Sequence, residues 1–138
     1  MDEPRSSMSE QIARAALDLE KQRTGHAPKS VTVVLCDDSL VITLHGALTP
    51  AERAMAQNAS GAAQLQELHE ALFAGSSDRL RDAIQRITGL TVRDTNAGAA
   101  AEASAVIRVF PTGTVVQVVL LSGRVSSESW SGSGSGVE

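Results

Sequence analysis

Residues 44–57 read LHGALTPAERAMAQ, and this stretch decides how the rest of the chain is divided. It opens with strand chemistry and ends with helix chemistry. Gly46 lets the backbone turn sharply out of a strand. Thr49 suits a helix N-cap, and Pro50 suits the first helical position, where its missing N–H would be unpaired in any residue. Glu52 stands at the third helical position. Capping accounts for the corner without a catalytic role.

On the N-terminal side, SVTVVLCDDSLVITLHG (residues 30–46) holds two β-branched runs around Asp37, Asp38 and Ser39, which are good turn formers. This predicts a β-hairpin. Val31, Val33 and Leu35 share one face with Leu40, Ile42 and Leu44, and the alternate face is also rather apolar. Before it, Met8, Ile12, Ala15, Ala16 and Leu19 recur at helical spacing. Ser7 and Glu10 make an S-x-x-E capping box, Lys21 and Arg23 fall in the last turn, and Gly25 with Pro28 stops the helix.

On the C-terminal side, the helix begun at Pro50 is expected to break at Ser60–Gly61. A second helix carries Leu65, Leu68 and Leu72 and stops at Gly75. A further helical stretch, capped by Ser76 or Ser77, carries Leu80, Ala83, Ile84 and Ile87 and stops at Gly89. LTVRD (90–94) reads as a short strand, and AVIRVFPTGTVVQVVLLSG (105–123) as two strands around a Pro-Thr-Gly turn. Between them TNAGAAAEAS (95–104) is a low-complexity link. TVVQVVLL (114–121) is read either as a strand buried on both sides of a sheet or as an edge strand that pairs with another copy. Residues 1–6 and the Ser/Gly-rich tail 124–138 are read as flexible, leaving one domain over 7–123. Trp130 in that tail marks either a bland spacer or a short docking motif.

The chain has 138 residues, enough for one domain with a real core. Its net charge is −4 and its pI about 5.3, with no basic run, which argues against nucleic acid as a partner. Phe73, Phe110 and Trp130 are the only aromatics, too few for a base-stacking platform. With a single cysteine, Cys36, no intramolecular disulfide forms. No leader and no apolar run near membrane-span length is seen, so the expectation is a cytoplasmic protein without direct membrane insertion.

No cluster of reactive residues stands out. His26, His45 and His69 show no metal-binding spacing, and Cys36 has no cysteine companion, so no metal and no cofactor are expected. Asp37 and Asp38 are read as solvated turn formers, and GSGSG near the C-terminus lacks the strand-loop-helix setting of a phosphate loop. The expectation is a protein that is not an enzyme and has no catalytic residues. An enzyme using Cys36 or a histidine is the third reading.

The order of these elements, with the GHAP helix end, LHGALTPAE and AIQRITGLTV, resembles the MpsC family, also known as DUF2294, over about residues 8–110. Its G-x-L-T-x-x-E corner is matched by Gly46, Leu48, Thr49 and Glu52. Gly25 and Pro28 fit its loop before the first strand, and Gly89 with Val92 its helix-to-strand return. Ala27 stands where relatives carry a second glycine, and a family arginine falls near His69. The resemblance implies an accessory protein acting with a membrane complex for cation or inorganic-carbon uptake, with an integral membrane transport protein as partner. It brings no catalytic residues.

The expected fold is α+β: an antiparallel sheet of four or five strands with three or four helices on one face, in the order αββααβββ. The expected function is an accessory or regulatory module for a membrane cation or inorganic-carbon transport system, cytoplasmic and peripheral to the membrane through its partner. Its interaction surface is expected at Gly25, His26, Pro28, Gly46, Leu48, Thr49 and Glu52. The alternative is a homo-oligomer that binds a small molecule or anion between subunits.

Overall fold

Local capping sets the helix ends. In a computed structural model describing residues 7–92, 105–126 and Trp130, helix α1 spans Met8–Thr24. The Ser7 hydroxyl accepts the Glu10 amide at 3.1 Å, and the Glu10 carboxylate accepts the Ser7 amide at 3.2 Å. Gly25 closes α1 in the left-handed region at φ 80°, where its amide donates to the Lys21 carbonyl. Strands β1 (Ser30–Cys36) and β2 (Ser39–His45) follow as a hairpin paired in register from Ser30↔His45 to Cys36↔Ser39. Its turn is therefore Asp37–Asp38, with Asp37 at φ 56°. Short polar side chains tolerate that conformation better than most.

Helix α2 covers Pro50–Met55 and α3 covers Ala59–Thr88. The break falls at 56–58, earlier than the expected Ser60–Gly61. Asn58 is the N-cap of α3, its side chain accepting the Gly61 amide at 2.7 Å. Gly61 lies inside the helix, where a side chain would overlap the Met55 carbonyl, so it marks the tight α2–α3 packing rather than a stop. Gly75 does not stop the helix either. Leu65, Phe73, Leu80 and Ile84 form one continuous buried stripe, and burial along 30 residues outweighs the roughly 1 kcal/mol a mid-helix glycine costs.

Strands β3 (Ala105–Val109) and β4 (Val115–Leu120) complete a four-stranded antiparallel sheet in the order β1-β2-β4-β3. The α+β class and the packing of α1 and α3 on one sheet face agree with the sequence reading. Of the expected strand at 90–94, the described residues show one bridge, Val92↔Leu121, supported by the Ser122 amide donating to the Thr91 carbonyl. Arg93, Asp94 and the link 95–104 lie outside the described residues. TVVQVVLL supplies an interior strand, not an edge, which corrects the edge-pairing reading. Only one of its faces is covered: Val115, Gln117 and Val119 are buried, and Val116, Val118 and Leu120 are half-buried.

The core lies between this covered face and the helices, with Leu40, Ile42 and Leu44 of β2 against Ile12, Leu65 and Ile84. At the β3 edge, the Gln66 amide stands in for a neighbouring strand. It donates to the Ile107 carbonyl at 2.8 Å and accepts the Val109 amide at 2.7 Å. Val125 and Trp130 pack at the margin of the core, and the Trp130 amide donates to the Ser126 carbonyl.

The two helical glycines should respond in opposite directions to the same change. Gly75→Ala, with open space around it, is expected to stabilise by about 0.5–1 kcal/mol. Gly61→Ala is expected to destabilise by about 1–3 kcal/mol through overlap with Met55. Urea unfolding of the two variants checks both signs.

Candidate functional site

Three connections meet at one end of the sheet: the loop before β1, the exit of β2, and the β3–β4 turn. They are joined by backbone and side-chain hydrogen bonds. The Lys29 amide donates to the His45 carbonyl at 2.7 Å, and the Ala47 amide to the Gly113 carbonyl at 2.8 Å. His26 Nε2 donates to the Gly46 carbonyl at 3.2 Å. Gly46 sits at φ 62°, and a Cβ there would come within 2.8 Å of the Lys29 side chain, so both conformation and space require glycine.

The expected surface residues are thus brought together, but they do different jobs. Gly25 ends α1, and His26, half-buried, ties its loop to Gly46. Pro28 and Leu48 are buried and support the loops from beneath, so neither offers a contact surface. Thr49 caps α2 by accepting the Glu52 amide at 3.2 Å, while Glu52 Oε1 accepts the Thr49 amide at 3.0 Å. The exposed residues of this end include Gly25, Ala27, Lys29, Pro50, Ala51, Pro111 and Thr112.

Beneath the corner runs a polar seam. Glu52 Oε2 faces Nε2 of His69 at 3.2 Å, and His69 on α3 is fully buried. A carboxylate only accepts here, so Nε2 carries the proton, and the buried Nδ1 has no hydrogen-bond partner among the described residues. Arg23 of α1 donates to the His69 carbonyl at 3.5 Å, lies over the Phe73 ring and pairs with Glu20. Burial lowers the Arg23 guanidinium to about 10, which leaves it charged at neutral pH. Glu20 is 1 % exposed and lines a small cavity together with Gln117 of β4, Phe73 and Ser76.

In the sequence Arg23 reads only as a last-turn cation, and Glu20 and Gln117 are not singled out. Their signal was present as polar side chains on apolar stripes: Glu20 follows Ile12 and Ala16 at intervals of four, and Gln117 interrupts a run of valines. The remaining histidine, His45, bonds Thr32 at 3.0 Å. Cys36 is exposed at the opposite end of the sheet. Among the described residues, no group of three His, Cys, Asp or Glu side chains could hold a metal ion.

Burial holds the His69 imidazole below its ordinary value of 6.5, and Glu52 opposes this only in part. The unfolded chain takes up a proton near the ordinary value while the folded chain resists it. His69 therefore makes stability fall as pH drops below about 6.5 and recover as pH rises. His69→Gln is expected to cost about 1–2 kcal/mol at pH 7 and to lose less on moving to pH 5 than the wild type does. Denaturant unfolding at both pH values checks this.

The chain matches the model of a family described as a Na+-translocating membrane potential-generating system (MpsC) over residues 4–112. It is also similar to YbcI of Bacillus subtilis, described as an uncharacterized protein, at 27% identity over 93 residues. That match covers 67% of this chain and 75% of YbcI. No solved structure matches. With the family model spanning most of its length, including the loop before β1 and the corner after β2, the chain belongs to the MpsC family.

Proposed function

We propose that this chain is a non-enzymatic accessory or regulatory module of a membrane cation or inorganic-carbon transport system, docking through the loop end of its sheet. The family description, with its link to sodium translocation and membrane potential, carries this reading. Among the described residues no helix is long and apolar enough to cross a membrane. On this reading the ion path belongs to an integral membrane partner, and this chain works at the inner face through that partner.

The geometry supports the choice of surface. The loop end joins backbone from three separate connections into one rigid edge, held by the His26–Gly46 and Ala47–Gly113 hydrogen bonds. Binding segments carried on loops over a rigid scaffold keep their shape at little entropic cost. The histidines at and beneath this end are engaged in structural hydrogen bonds, and the reading asks no chemistry of them.

Affinity purification of a tagged copy from gently solubilised native membranes tests this, with mass spectrometry of what is retained. One integral membrane protein in stoichiometric yield is expected. Its recovery should fall at least tenfold with Lys29→Glu plus Ala51→Glu, both exposed positions, while the thermal midpoint stays unchanged. Recovery of no membrane protein, or recovery indifferent to these changes, would overturn the proposal.

A further inference from the structure

Among the described residues, the helices cover one face of the sheet and no element covers the other. Register places four valines in a row across that bare face, one per strand: Val34, Val41, Val118 and Val106. The two outer members of the row are 52% and 48% exposed, and Phe110, beside the same face, is 42% exposed. These are three of the five large apolar side chains most exposed among the described residues. An antiparallel sheet with one solvated face ordinarily alternates apolar-in with polar-out; the valine row breaks that pattern, while Thr32, Thr43 and Arg108 keep it in the neighbouring row.

We infer that this face is the interface of a homodimer, formed by packing the bare sheets of two copies face to face into a four-layer α-β-β-α arrangement. Size and charge both bear on the occupant, and charge favours a second copy. With strands about 4.8 Å apart and about 3.3 Å per residue, the face spans roughly 20 by 20 Å in plan. That is about 400 Å² in plan before side-chain relief is added, against the roughly 800 Å² of accessible surface per partner in a standard interface.

The face is almost uncharged although the chain carries a net charge of −4. No carboxylate lies on its strands, and Arg108 stands near one corner. A nucleic acid or an anionic membrane would call for clustered basic residues. A two-fold axis along the strands, or along the valine row, sets the two Arg108 side chains apart and brings valine against valine. Sheets packed in this way cross at about 30°. The loop end lies at the rim and meets this face at Phe110, whereas the docking test above rests on Lys29 and Ala51, so the two proposals stand or fall on different substitutions.

Sedimentation equilibrium of the full chain, with native mass spectrometry, tests the inference. A mass of twice 14.4 kDa at micromolar concentration is expected. Val34→Glu with Val106→Glu should weaken dimerisation at least a hundredfold and leave the circular dichroism unchanged, since both positions are about half-exposed. Should that pair fail to fold, Phe110→Glu alone serves as the second variant, with at least a tenfold weakening expected. A wild-type monomer at tens of micromolar, or a dimer that survives these substitutions in folded protein, would overturn the inference.

Discussion

The Glu52 carboxylate is the point on which the layers of this protein depend. One of its oxygens accepts the amide and hydroxyl of Thr49, fixing the first turn of α2 where the chain leaves β2. The other reaches the imidazole of His69, buried on α3. A single side chain therefore sets the exit angle from the hairpin and anchors the long helix beneath it. Gly46 makes this geometry accessible, because the turn before the cap requires a positive φ and leaves no room for a side chain beside Lys29. The loop before β1 then closes on the same corner through His26.

This anchoring has a cost, since it extends into the core as a line of polar groups. Arg23 and Glu20 follow His69 inward, and both side chains are almost completely shielded from water. Removing one member of such a buried pair typically destabilises by about 3–5 kcal/mol, because the remaining charge is left uncompensated. The seam is therefore a device for specifying one arrangement of α1, α3 and β4 more than a source of net stability. Apolar burial of Ile12, Leu40, Ile42, Leu65 and Ile84 on either side of it supplies the stabilising term.

Features that depend on neighbours within four residues were legible in the sequence. The caps at Ser7, Gly25, Thr49 and Gly89 follow from local hydrogen bonding, and each is found where its chemistry placed it. The alternation of the hairpin likewise put Leu40, Ile42 and Leu44 on the core side. Features set by distant partners were not legible. Gly75 reads as a stop, yet α3 runs through it because a sheet lies beneath both halves of the helix. Strand order is equally non-local, and it makes the valine-rich β4 an interior strand with one bare face. Gly25–Pro28 and Gly46–Glu52 stand out in the sequence as a turn and a cap, while their meeting with the β3–β4 turn is non-local. His69, from 17 residues beyond Glu52, enters beneath the loop end through tertiary packing that no spacing rule encodes.

A double-mutant cycle between Glu52 and His69, read by urea unfolding at pH 7, tests the central claim most directly. Replacing each with alanine, singly and together, isolates the energy they share. The corner-to-helix lock predicts a coupling of about 1–2 kcal/mol, with the double variant less destabilised than the sum of the single ones. Strict additivity would show that Glu52 serves only its own helix and that His69 is held by packing alone.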